Sequence, residues 1–237
     1  MTMNDDKSIC IRKFTEAIGV TFNNPVLIRT AFTHRSYVNE HRGGPIEHNE
    51  RLEFLGDAVL ELVVTRFLFD KYPEKTEGDL TAYRAALVNT NTISDAATKL
   101  SMNDCMLLSK GEARDTGRAR QYILANAFES VIGAIYLDQG YDTAKEFIAQ
   151  NIFLRTDDVV KNRLWQDSKS HLQEEAQERV SITPSYAVLA ENGPDHDKQF
   201  TVGAFLGTDL ISKGVGKSKQ EAEQAAAEQA LKLKGWL

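Results

Sequence analysis

Apolar residues recur at helical spacing through most of the chain and change to strand-like alternation only near its C-terminal end. From about residue 8 to 155 the pattern predicts nearly continuous helix. CIRKFTEAIG reads as a helix closed by Gly19, and Asn24-Pro25 opens the next, with Leu27, Ile28 and Ala31 on one face. Loop chemistry (Gly43, Gly44, Pro45) separates Asn39 from Asn49. A long helix then runs to about Tyr72, before Pro73. TEGDLTAYRAALVNTNTISDAATKL predicts a helix or a helix pair. A polar stretch from Lys110 to Arg120 precedes a strongly apolar helix ending at Gly140, and one more helix follows from Thr143 to about Phe153.

The segment from Arg155 to Ser168 is polar and reads as a linker. Beyond it KSHLQEEAQER predicts a helix, PSYAVLAE a strand, and KQFTVGAFL a half-buried strand that alternates Phe200, Val202, Ala204 and Leu206. TDLISKGVG completes a three-stranded meander. SKQEAEQAAAEQALKLKG is a helix with a capping box, Ser218 with Glu221, that ends at Gly235. The expected fold class is an all-α domain followed by a small α+β domain of order α-β-β-β-α. The expected boundaries are residues 1–155, a linker at 156–166, and residues 167–237.

The stretch His48 to Val64 is the most informative. Glu50, Glu53, Asp57 and Glu61 fall within about 80° of arc on the helix that begins there. Leu52, Leu55, Val59, Leu62 and Val63 lie about 120–220° from Glu50, on the side that wants a core. An acidic face opposite an apolar one is ordinarily just solvated. Gly56 and Asp57 are nevertheless poor mid-helix residues, and Phe54 stands among the carboxylates, where solvent would waste it. Stacked carboxylates are relieved by a hard divalent cation such as Mg²⁺. In the later apolar helix, Asn126 and Glu129 share one face and need polar partners. Either they bond to a neighbouring helix, or they meet Glu53 and Asp57 around one cation.

Composition narrows the partners only a little. The chain has 237 residues and a formal net charge of −6, so any nucleic-acid surface must be a local patch. The deficit is spread evenly: residues 167–237 carry 8 basic and 11 acidic side chains, the rest of the chain 20 and 23. Cys10 and Cys105, far apart in sequence and without a CxxC pair, exclude a disulfide scaffold and a cysteine zinc site and fit a reducing cytoplasm. The N-terminus has no secretory character, and no apolar run is long enough for a membrane span. His41 and His48 lack metal-ligand spacing, and no P-loop, nucleophile elbow or dinucleotide fingerprint occurs, so no nucleotide cofactor is expected. Lys217, Ser218 and Lys219 sit at a helix N-terminus behind Gly214 and Gly216, where free N–H groups favour an anion; an ordinary capped helix reads the same way. The loop with Pro194 and His196 is a second contact candidate.

ERLEFLGDA, ILANAFESVIGAIYLD and, in the C-terminal part, LQEEAQ, GPDHDKQF and GKSKQEAEQAAAEQAL together resemble bacterial ribonuclease III, with its nuclease domain, linker and double-stranded-RNA-binding domain. The resemblance covers nearly the whole chain. It implies a cytoplasmic, homodimeric endoribonuclease that makes a staggered cut in double-stranded RNA, leaves 5′-phosphate and 3′-hydroxyl ends, and processes ribosomal RNA and other structured transcripts. It implies Mg²⁺, with Mn²⁺ able to substitute, at Glu53, Asp57, Asn126 and Glu129. Asp57 and Glu129 match the catalytic positions, Glu50 and Glu77 the auxiliary acidic ones, and Phe54 the dimer-interface aromatic. Gln173, Glu174, Pro194, His196, Lys217, Ser218 and Lys219 match the RNA contacts. The family commonly has Asp where this chain has Asn126, which implies weaker Mg²⁺ binding. The alternative is a double-stranded-RNA-binding protein that has weakened or lost cleavage.

Overall fold

The computed structural model describes residues 3–41, 47–161, 167–194 and 198–236. It divides into two compact units, Met1–Trp165 and Gln166–Leu237. His196 and the Gly43-Gly44-Pro45 loop lie outside the described residues.

The first unit is helical. Its elements are α1 (Met3–Ala17), α2 (Pro25–Ala31), α3 (Arg35–Glu40), α4 (Glu50–Lys71), α5 (Glu77–Leu87), α6 (Thr90–Lys99), α7 (Met102–Cys105), α8 (Arg118–Gln139), α9 (Tyr141–Ile152) and α10 (Thr156–Lys161). Local chemistry sets many of the boundaries. Asn24 caps α2 by accepting from the Val26 N–H, with Pro25 in the first turn. Thr76 and Asp79 form a reciprocal capping box at α5. Gly140, at φ 84°, ends α8 in a conformation open to glycine. The TEGDL…ATKL stretch resolves into the pair α5 and α6, split where Asn89 caps α6.

Two expectations are corrected here. Residues 156–161, read as linker, form α10, with Thr156 buried and Val159 in the core of the first unit. Cys10 and Cys105, separated by 95 positions, are joined as a disulfide because α1 packs on α7. Separation along the chain says nothing about distance once two helices pack.

The core of this unit is built around α4 and α8, its most extensive helix pair. α4 buries Leu52, Gly56, Val59, Leu60, Val63, Val64 and Leu68. The core-facing side is thus turned by roughly 80° from the expected one, towards Glu53. Leu62, expected in the core, is 58% exposed. The turn has a steric cause at Gly56 and Gly133. A Cβ on Gly56 would stand 1.7 Å from the Glu129 carbonyl oxygen, and one on Gly133 would stand 2.3 Å from that of Leu52. Each glycine seats the other helix's backbone.

The second unit has α11 (Ser168–Val180), β1 (Pro184–Asn192), β2 (Gln199–Leu206), β3 (Asp209–Gly216) and α12 (Lys219–Lys234). The sheet is antiparallel in the order β1-β2-β3, with Val188 opposite Val202 and Val202 opposite Gly214. Leu172 and Ala176 of α11 and Ala226, Ala227, Ala230 and Leu231 of α12 pack with Ala204 and Leu206. Gly214 and Gly216 have a packing role. A Cβ on either would come within 2.5 Å of the α12 backbone.

Gly56→Ala is expected to cost about 3 kcal/mol or more, since backbone and not a flexible side chain occupies the space. Urea denaturation of the variant against the parent chain measures this.

Candidate active site

The α4–α8 crossing brings four of the sequence-picked residues together. Glu53 and Asp57 face it from α4, and Asn126 and Glu129 from α8. The Asn126 side chain hydrogen-bonds the Glu53 carboxylate, and Glu129 feels the charges of both Asp57 and Glu53. Burial, then those two neighbours, pushes the Glu129 carboxyl up to about 8. Burial first and Glu50 second raise Glu53, and burial first and Glu61 second raise Asp57. The two helices thus meet at these residues, Asn126 through its hydrogen bond to Glu53 and Glu129 through the charges of Asp57 and Glu53.

Two residues that sequence reasoning missed fix this crossing. Asn49 is 2% exposed; its N–H donates to the Thr33 carbonyl and its side-chain amide to that of Ala31. Ser130 of α8, wholly buried, donates to the Asn49 and Asn126 carbonyls. Both sit inside the segments already singled out, HNE and NAFES. Their short polar side chains in apolar surroundings were the available signal.

Other expected residues stand apart. Glu50 pairs with Arg35 (3.4 Å) at the start of α4, with His48 Nδ1 3.7 Å away, and reaches the cluster only through its charge on Glu53. Glu77 opens α5, outside the crossing, and accepts the Thr81 hydroxyl. Phe54 is 82% exposed. It edges a groove of about 900 Å³ lined also by Val26, Leu27, Leu52, Leu55 and Leu137.

The cluster suits a hard cation by donor type: three carboxylates and one amide oxygen whose mutual repulsion a positive charge would relieve. The side chains are not gathered on one point. Among the described residues no three Asp, Glu, His or Cys side chains are placed to hold a metal ion as they stand.

In the second unit Ser218 caps α12 by accepting from the Glu221 N–H, and the Glu221 carboxylate returns to the Lys217 N–H, one residue earlier than a simple capping box requires. Lys219 lies over the Phe200 ring, as does Lys198, and Glu191 pairs with both. The sequence pattern does not single out Lys198. Only the β1–β2 pairing and the neighbouring helix end bring it beside Lys219. Gln173 and Glu174 lie exposed on α11, and Pro194 ends the described part of the β1–β2 loop.

A helical domain with an acidic helix crossing, followed by an α-β-β-β-α module, is the two-part arrangement that the comparisons match. Residues 24–156 match the Ribonuclease-III-like family and residues 168–234 the double-stranded RNA binding motif. Ribonuclease 3 of Geobacillus sp. (strain WCH70) is 46% identical over 98% of this chain and 94% of its own. That of Bdellovibrio bacteriovorus is 44% identical over 94% and 95%. The nuclease domain of ribonuclease III from Campylobacter jejuni, a structure concerned with a region involved in dimer formation, superposes with a TM-score of 0.53 at 39% identity. It covers 60% of this chain and 97% of that one. The chain belongs to the ribonuclease III family, and it is an endoribonuclease that carries a double-stranded-RNA-binding domain. No helix among the described residues is long and apolar enough to cross a membrane.

A carboxyl held near 8 in the fold and near its ordinary 4.5 when unfolded takes up a proton on folding between those values. Without divalent cations, stability is therefore expected to fall as pH rises from about 5 to 8. Thermal melting in chelator should show this slope for the parent chain and a flatter one for Glu129→Gln.

Proposed function

We propose that the chain cleaves double-stranded RNA in a Mg²⁺-dependent reaction, with Mn²⁺ able to substitute, at the α4–α8 crossing. The observation that carries the reading is the convergence of Glu53, Asp57, Asn126 and Glu129, with Glu129 raised to about 8. Those four residues would hold the cation, Asp57 and Glu129 as the catalytic pair. When bound, the cation supplies charge neutralisation at the scissile phosphate and a more acidic water. Glu129, whose carboxyl burial and its neighbours hold up at about 8, would give up its proton on becoming a ligand. Asn126 offers a carbonyl oxygen but no charge and steadies Glu53. Glu50 and Glu77 act as auxiliary acidic residues at the margins. The products carry 5′-phosphate and 3′-hydroxyl ends.

The catalytic domain runs through α10, a short linker follows it, and residues 167–237 form the RNA-binding domain. In the last, Gln173, Glu174, Pro194, His196 and the Lys217-Ser218-Lys219 helix start contact A-form RNA by shape and phosphate, not sequence. The exposed Phe54, beside the apolar groove of Val26, Leu55 and Leu137, supports a homodimer whose two sites make the staggered cut. Processing of ribosomal RNA precursors and other structured transcripts in the cytoplasm is the cellular role.

A second reading, an RNA-binding protein with weakened or lost cleavage, rests on Asn126, which removes one negative charge from the cluster. Cleavage of a long perfect duplex with Mg²⁺ separates the two. The parent chain is expected to cut, and Asn126→Asp to cut at lower Mg²⁺. If only Asn126→Asp cuts, the second reading stands. Glu129→Ala is expected to lose cleavage by at least about a thousandfold and keep duplex affinity; undiminished cleavage refutes the assignment. Phe54→Glu is expected to shift sedimentation from dimer towards monomer.

A further inference from the structure

The Cys10–Cys105 pair lies outside the site and is built for chemistry of its own. The two Cα atoms are 5.3 Å apart, within disulfide range. The two cysteines differ in access: Cys10, on α1, is partly exposed, whereas Cys105, the last residue of α7, is 3% exposed. Lys7 stands three residues before Cys10, on the same side of α1. Its ammonium donates to the carbonyl of Asp104, the residue before Cys105, at 2.5 Å. The ammonium is thus bonded to the residue next to Cys105 and stands one helical turn from Cys10, and a nearby ammonium favours thiolate over thiol. Asp104 and Arg120 are the charges that act on Lys7.

We propose that Cys10 and Cys105 form a reversible dithiol–disulfide site that reacts with small-molecule disulfides. Cys10 is the entry nucleophile, Cys105 the resolving thiol and Lys7 the activating cation. The Cys10 thiolate attacks one sulfur of the small disulfide, forms a mixed disulfide and expels one small thiolate. The Cys105 thiolate then attacks the Cys10 sulfur, closes the protein disulfide and expels the second. The protein dithiol loses two electrons and two protons, and the small disulfide gains them as two thiols.

Closure ties α1 to the strip that follows α7. There the Leu107 N–H donates to the Phe32 carbonyl and the Leu107 carbonyl accepts from His34. The intervening Thr33 accepts from Asn49, the residue that seats α4. The oxidised state therefore adds a covalent brace to the shelf on which the acidic helix starts, and reduction leaves α1 held there by packing and the Lys7 bond alone.

The test uses the full-length chain, fully reduced and then exposed to glutathione disulfide, with products followed by intact mass and peptide mapping. The parent chain is expected to end as an intramolecular disulfide with no lasting adduct. Cys105→Ser should trap one glutathione on Cys10. Cys10→Ser should react at least about tenfold more slowly, and Lys7→Ala should slow the entry step several-fold. The oxidised parent should melt on the order of 5–10 °C above the reduced one. Unreactive thiols in the native protein, a persistent adduct on the parent chain, linkage between chains instead of within one, or equal rates for the two serine variants would each overturn the proposal. A Lys7→Ala rate equal to the parent's removes the activating role and overturns the mechanism as stated.

Discussion

The close approach of α4 and α8 is the constraint on which everything else in the nuclease unit rests. Two glycines, Gly56 and Gly133, each give up a side chain so that the other helix's backbone fits, within a distance no Cβ tolerates. Glycine in mid-helix costs roughly 1 kcal/mol, and the fold accepts that cost twice for this contact. The contact turns the core-facing side of α4 towards Glu53 and draws that carboxylate partly out of water. It also sets Glu129 where burial and two neighbouring carboxylates keep its proton on up to about pH 8. Packing and electrostatics are one fact here: the tighter the crossing, the stronger the repulsion, and the greater the gain from a bound cation.

The crossing is held from outside as well. Asn49 and Ser130 satisfy one another's surroundings in the buried seam, and Thr33 hangs Asn49 on the strip around Leu107. This polar seam sits beside a core made almost wholly of aliphatic and aromatic side chains. Slippage of α4 along α8 by one turn would orphan its donors and acceptors, each at a cost of about 1–3 kcal/mol. The register that aligns Glu53 and Asp57 with Asn126 and Glu129 is thus fixed by groups that take no part in the chemistry.

Much of this was legible in the sequence. The 3.6 spacing through residues 8–155 and the alternation in β2 carry the two-part fold class, while spacing offers the meeting of Glu53, Asp57, Asn126 and Glu129 as one of two alternatives and only the family resemblance groups them. Angular position on one helix does not show which edge its neighbour takes, so periodicity puts the exposed Leu62 inside and marks Gly56 only as a poor mid-helix residue. Pairings distant in sequence stayed hidden: Cys10 with Cys105, and Lys198 with Lys219 over Phe200. The polar segment after Arg155 hid α10 because its few apolar residues, such as Val159, are too sparse to show a period.

The central claim is that the α4–α8 crossing is the cation site. Its most direct test is a crystal structure grown with Mn²⁺ and read by anomalous scattering. The account predicts a peak between the helices, with oxygens of Glu53, Asp57, Asn126 and Glu129 drawn in to about 2.2 Å. A peak elsewhere, or none there with Mn²⁺ in excess, would contradict it.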